Sequence, residues 1–278
     1  MIILIPMGGK GSRFSEKGYA LNKALIPVTS RHDGKKNSMA LSSMIDIPWI
    51  NDSSSKIICV NSFEHSQNGL EKKIHRKFPK AIFIHDHIKL DQAFGCFLAR
   101  EFLQNDEELF IGACDNGFDI DLKAFNRIKK TTDAIMFSHT NDSNIERDPG
   151  AHSWAKLKKD HESLTNLSFK KTVSSSPMND HATTGMFWFK SAKVFLGYLE
   201  KMIWANDTID GKFYVDKLLN YYIKDRLIVK KYDVNYICWG TPDDYELYEQ
   251  TLKYWNDFYK HNKKTSSAMH AKAQLLKK

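Results

Sequence analysis

What this chain has little of narrows the field first. It has four cysteines, Cys59, Cys96, Cys114 and Cys238, and no two are spaced C-x-x-C. That excludes a zinc knuckle and a thioredoxin-like motif. Cys59 and Cys114 stand in apolar runs and read as small core residues. No Gly-x-Ser-x-Gly elbow is present and no cysteine has an obvious catalytic partner, which disfavours a nucleophilic hydrolase. No apolar run approaches the ~20 residues that a membrane-spanning helix needs. The opening Met1-Ile2-Ile3-Leu4-Ile5 meets Pro6 and glycines too soon for the apolar core of a signal peptide. The expectation is a cytoplasmic protein without a membrane partner.

What is present suits a globular enzyme-sized chain. At 278 residues with 42% hydrophobic and 12% aromatic side chains, an interior is easily filled. The net charge of +8 favours anionic partners in general. No basic motif interleaved with aromatics occurs, so nucleic acid is not the expected partner. Six of the lysines fall between Lys260 and Lys278. The division is therefore one domain over 1–260 and a solvated or frayed basic tail over 261–278.

Hydropathy along the first half alternates between strand and helix. Apolar strand-like runs occur at Ile2 to Pro6, Lys56 to Val60, Ala81 to Ile84, Leu109 to Cys114 and Ala134 to Phe137. Between the third and fourth, Ala93, Phe94, Phe97, Leu98 and Phe102 share one helical face. That alternation predicts an α/β fold, a mainly parallel sheet flanked by helices on both faces. From about Asp148 the texture changes. Trp154 to Leu157, Leu167 to Phe169 and Gly185 to Phe189 read as a small antiparallel insertion, with Asp160 to Ser163 as a turn. Helices are predicted at 193–204, 214–223 and 243–260.

The sharpest local signal follows the first strand: Met7-Gly8-Gly9-Lys10-Gly11-Ser12-Arg13-Phe14. Glycines let a backbone approach an anion closely and aim N–H groups at it. Arg13 suits phosphate oxygens. This is neither a P-loop, for want of Gly-Lys-Ser/Thr, nor a dinucleotide fingerprint, for want of the third glycine. Ten residues on, Lys23 precedes the apolar Ala24-Leu25-Ile26-Pro27-Val28, a setting that can turn it into a cleft.

Gly9-x-Gly11-Ser12-Arg13-Phe14 followed by Lys23-x-Leu25-Ile26-Pro27-Val28 resembles the signature of sugar-phosphate nucleotidyltransferases, the NDP-sugar pyrophosphorylases. Leu109 to Asp115, Ser153 to Leu157, Asp180 to Phe189, Phe213 to Val215 and Trp239-Gly240-Thr241-Pro242-Asp243-Asp244 continue the resemblance over about residues 1–250. It comes nearest to the branch associated with capsule and surface-polysaccharide synthesis. The resemblance implies a Rossmann-like, GT-A-type fold. It also implies transfer of a nucleotidyl group from an NTP, with CTP, UTP or dTTP favoured, onto a sugar 1-phosphate. Partners would be an NTP and a phosphorylated small molecule, with room for a homo-oligomer. By the same resemblance Met7, Gly8, Gly9, Gly11, Ser12, Arg13, Lys23 and Gln92 bind nucleotide, and Arg13, Lys23 and Asp115 are catalytic. The resemblance also makes Asp115 the expected Mg²⁺ ligand, and Lys170, Lys171, Thr184 and Gly185 the expected acceptor side.

Three departures stand out. Asn22 replaces a proline before Lys23. Cys238 stands where a second metal-binding aspartate is usual, and magnesium does not favour a thiol. Asp216 or Asp243 is the candidate replacement, unless one carboxylate suffices. The usual Glu-Lys of the acceptor side is not intact at Lys170-Lys171. These changes keep a non-sugar acceptor open, such as phosphocholine or a phosphorylated amide like phosphoglutamine. Two further readings compete. One is a GT-A glycosyltransferase using Asp119-Ile120-Asp121, where turn or helix-capping roles are preferred. The other is a non-catalytic nucleotide binder.

Overall fold

The computed structural model describes residues 1–88 and 91–275. Residues 276–278 of the basic tail, and residues 89 and 90 of the stretch leading to Gln92, lie outside the described residues. The strands, in chain order, are β1 (Ile2–Met7), β2 (Pro27–Thr29), β3 (Lys36–Ser38), β4 (Lys56–Ser62), β5 (Ile82–Asp86), β6 (Leu109–Ile111), β7 (Asn116–Asp119), β8 (Ala134–His139), β9 (Ser153–Leu157), β10 (Leu164–Phe169), β11 (Ala182–Phe189), β12 (Val229–Asp233) and β13 (Asn235–Cys238).

Nine of them form one mixed sheet among the described residues. Its main path runs β10-β9-β11-β6-β1-β4-β5, with β8 pairing β11 and β12. β1 is parallel to both β4 and β6, and β4 to β5. β11 runs antiparallel to β6. β1, β4 and β6 are buried on both faces, as their unbroken apolar runs require, whereas the edge strand β5 leaves Ile82 exposed. Ile2, Leu4, Ile58, Val60, Leu109 and Ile111 pack on one face, and Ile3, Ile5, Ile57, Cys59 and Phe110 on the other. Alternate residues pointing to opposite sides of a pleated strand give this division.

The local chemistry of several elements explains their ends. Asp91 caps the Gln92–Leu98 helix by accepting from the Phe94 N–H. Thr241 accepts from the Asp244 N–H at 3.2 Å, and Pro242 opens the helix that runs to Leu275. The acids Asp243 and Asp244 lie in that helix's positive first turn. The hairpin turn after β9 is held by Asp160, which accepts from the Glu162 and Ser163 N–H groups. β9 and β10, the antiparallel pair of the second half, extend the main sheet beside β11. The run read as a strand to Cys114 stops at Ile111. There the chain leaves the main sheet, and from Asn116 it pairs with β13 in a separate ribbon. Asp115 sits in the crossing between the two sheets.

One buried base sets a pH limit on stability. His139, at the end of β8, is 3% exposed, and neither ring nitrogen has a hydrogen-bond partner among the described residues. Its ring lies against that of Tyr236, with centroids 4.4 Å apart. Burial, aided by His152, depresses its pKa to about 3. Between that value and the usual 6.5 the unfolded chain takes up a proton that the folded chain refuses. Stability from this site is therefore full above pH 6.5 and falls as pH drops toward 3. His139→Phe should remove about 2 kcal/mol of the stability lost between pH 7 and pH 5. Urea unfolding of both proteins at the two pH values reads it directly. Equal pH dependence in both would mean that His139 accepts a proton in place.

Candidate active site

The parallel strands place a crevice where the chain's connections diverge. From β1 the chain goes to β4 and β5 on one side, and later returns to lay β6 on the other. Loops after adjacent strands on either side of such a switch point separate, leaving a ligand crevice at the strands' carboxyl ends. The glycine loop follows β1, and Asp115 follows β6.

Two adjoining pockets open there. The smaller, about 260 Å³, is lined by Met7, Gly8, Gly9 and Gly11, with Asp86 and Gln92 opposite. The larger, about 740 Å³, is lined among others by Arg13, Arg147, Lys170, Thr184, Gly185 and Asp216. Lys23, Gln92, Ala113 and Asp115 line both, so they form the boundary between them.

Two glycines of the loop serve different needs. A Cβ at Gly8 would come within 2.7 Å of the Asp86 carboxylate. Gly11 has a φ of 63°, in the left-handed region, and a Cβ there would press on the Lys23 side chain at 2.8 Å. The loop can therefore lie close against both Asp86 and Lys23.

Lys23 is the best-held cation of the crevice. Its ammonium pairs with Asp115 Oδ2 and donates to the Gly240 carbonyl at 3.0 Å. The Phe14 ring centroid lies 5.7 Å from Nζ. Burial pulls its pKa down, but the charge and hydrogen bond of Asp115, with the neighbouring Cys114 and Cys238, together outweigh this and leave it raised. The group is a fixed positive charge at neutral pH. Arg13, by contrast, is exposed and has no ion pair among the described residues.

Cys238 does lie beside Asp115: a Cβ on Gly240 would be 3.3 Å from Asp115 Oδ2 and 3.4 Å from Cys238 Sγ. Burial, with the charges of Asp244 and Asp115, pushes the thiol up to about 12. It is neutral at pH 7 and offers no thiolate. The carboxylate that faces it is Asp244, whose Oδ2 accepts from Sγ at 3.4 Å and from Thr241 Oγ1 at 2.6 Å. Asp244 is also paired with Arg147. Asp243 lines the larger cleft, paired with Lys17. Among the described residues no three His, Cys, Asp or Glu side chains converge on one point. The donor set thus suits a hard cation held by Asp115 and completed by ligand oxygens.

Gln92 spans the two sides, its side-chain N–H donating to the Gly185 carbonyl at 2.9 Å. Thr184 is buried and donates to the Phe137 carbonyl. Of the two lysines after β10, Lys170 lines the larger cleft and pairs with Asp210. Lys171 does not line it, and neither does Ser12. Asp216 lines the larger cleft but not the smaller pocket. Asp121 caps the helix after β7, and Asp119 pairs with Arg31, so the D-x-D carboxylates are engaged outside the crevice. Arg147, Asn144 and His152 escaped the sequence reading: they carry no local motif and line the cleft only through tertiary packing. Asp244 entered it only as the last residue of a motif, with no role assigned.

The fold defined by this sheet and crevice is that of the nucleotidyltransferases. The chain superposes on the nucleoside-diphosphate-sugar pyrophosphorylase from Vibrio cholerae RC9 with a TM-score of 0.70 and 16% identity, over 88% of this chain and 98% of that one. With the inositol-1-phosphate CTP transferase from T. maritima the values are 0.63 and 16%, over 89% and 93%. No protein-family model matches the sequence, and no curated protein matches it either. No helix among the described residues is long and apolar enough to cross a membrane.

Proposed function

We propose that the protein is a nucleotidyltransferase that moves an NMP group from an NTP onto a phosphorylated small-molecule acceptor, releasing pyrophosphate. The observation that carries this reading is the meeting of two pockets at Lys23 and Asp115. The glycine-lined pocket takes the nucleotide, because close backbone approach suits phosphates and a flat base. The larger cleft takes the acceptor, with Lys170, Thr184 and Gly185 in its wall. The nucleotide would be CTP, UTP or dTTP, and a sugar 1-phosphate is the acceptor class implied by the sequence resemblance.

An acceptor phosphate oxygen attacks the α-phosphorus, the new P–O bond forms, and the bond to the β-phosphate breaks as pyrophosphate leaves. The attacking oxygen is already an anion, so no general base is needed. Catalysis rests on placing two anions together and neutralising the charge that builds up. Lys23, fixed before the reaction starts, stabilises the α-phosphoryl oxygens without reorganisation. Arg13, in the wall of the larger cleft and without an ion pair among the described residues, draws in the β- and γ-phosphates. Asp115 would hold Mg²⁺, which supplies further charge neutralisation on the triphosphate.

The engaged state of Asp119 and Asp121 argues against a glycosyltransferase. The decisive test is pyrophosphate release from purified protein, Mg²⁺, each common NTP, and a panel of sugar and non-sugar phosphates. Release that requires one NTP and one acceptor is expected. Absence of NTP binding would sink the proposal.

A further inference from the structure

The larger cleft contains two buried acceptor oxygens with nothing to accept. Asp216 is 6% exposed and Asn144 is 5% exposed, and both line the cleft. Asp216 Oδ1 and Asn144 Oδ1 have no hydrogen-bond partner among the described residues. Consecutive residues of the cleft wall link them: Ser153 lies beside the Asp216 carboxylate, and His152 beside the Asn144 backbone.

The charges around them are unevenly matched. Lys23, Lys17, Arg147 and Lys170, all in the cleft wall, are already paired with Asp115, Asp243, Asp244 and Asp210. No cation pairs with Asp216 among the described residues. A buried polar oxygen left unbonded costs free energy, and a buried carboxylate left unpaired costs more. Such a group persists where a ligand completes it. A ligand hydroxyl would fill the lone pair but leave the charge. A quaternary ammonium would balance the charge but bring no N–H. A primary ammonium does both, and has further N–H groups for Asn144.

We propose that this end of the cleft recognises a primary ammonium group on the phosphorylated acceptor, through Asp216 Oδ1 and Asn144 Oδ1. The inference rests on the nucleotidyltransferase reading and narrows its acceptor to amine-bearing phosphate monoesters. Phosphate at the Lys23 end and ammonium at the Asp216 end would orient the acceptor along the cleft. The role makes Asp216 a specificity residue.

The test is calorimetric binding to the full-length protein at pH 7.5, with Mg²⁺ and an α,β-methylene pyrimidine NTP present. Two matched pairs serve as probes: glucosamine 1-phosphate against glucose 1-phosphate, and 2-aminoethyl phosphate against ethyl phosphate. In at least one pair the amine should bind about 10-fold or more tighter, the size of a charge-assisted hydrogen bond. Asp216→Asn should erase that gap while leaving the neutral member's affinity within a few-fold. Equal affinity within both pairs overturns the inference, as does failure of both amines to bind. So does a gap that survives in a folded Asp216→Asn protein. Should that variant not fold, Asn144→Leu and the wild-type pairs decide it. Titration of the NTP analogue alone reports separately on the nucleotidyltransferase reading, since its pocket lies on the other side of Lys23 and Asp115.

Discussion

Replacing Lys23 by alanine is expected to lower turnover by about 10²-fold or more, with KM for the NTP changed only several-fold. Removing one preorganised charge or donor from a transition state typically costs about 3–4 kcal/mol. Lys23 meets the conditions for such an effect. Its ammonium is fixed by Asp115 and the Gly240 carbonyl, it is charged at neutral pH, and it stands on the boundary that the transferred group must cross. Ground-state phosphates have Arg13 and the loop amides as well, so binding suffers less than the chemical step. Pyrophosphate release under saturating and limiting NTP separates the two. A folded variant with near-normal kcat would show that Lys23 merely braces the glycine loop.

Asp115→Asn should also cost about 10² or more in turnover, for a different reason. The carboxylate anchors Lys23 and is the hard donor best placed for Mg²⁺. Losing its charge should weaken divalent-ion binding in the presence of NTP by about 10-fold or more. Electron paramagnetic resonance of Mn²⁺ reads that without turnover. Unchanged Mn²⁺ affinity would remove Asp115 from the metal site. The fold should lose only about 1–2 kcal/mol, below the cost of breaking a fully buried pair. Lys23 and Asp115 keep 19% and 27% of their side-chain exposure, and water partly replaces the missing partner.

The two predictions separate what a change at one boundary does to two tasks. In Lys23→Ala the metal donor survives and the fixed cation is gone. In Asp115→Asn the cation survives but loses its main anchor, so its position loosens. A double variant should therefore lose less than the product of the single losses, because each residue depends on the other.

The alternation of apolar runs and helical faces was enough to reach a mainly parallel sheet covered on both sides. The runs at β1, β4 and β6 are buried on both faces, as an unbroken Val/Ile/Leu run implies, while the one at the edge strand β5 is half-exposed. The glycine loop, Lys23 and Asp115 were legible for a related reason: local backbone demands and strand ends leave marks within a few residues. The choice between Lys170 and Lys171 was not legible, since both are exposed cations in one short stretch. Position 238 shows the same limit from the other side. The sequence reading marks the missing aspartate there, but the carboxylate that faces Cys238 is Asp244, on the inner side of a helix's first turn.

By itself, then, the order of residues marked most strands of the main sheet, the glycine loop after the first of them, and the lysine that follows. Only the tertiary structure decided which charges are spent on one another and which remain for a ligand. Arg147 finds Asp244 across 97 positions and Lys23 finds Asp115 across 92, whereas Asp216 finds no cation among the described residues. Pairing of charges depends on distance and burial in three dimensions. Packing of remote elements sets both, and no local pattern encodes them.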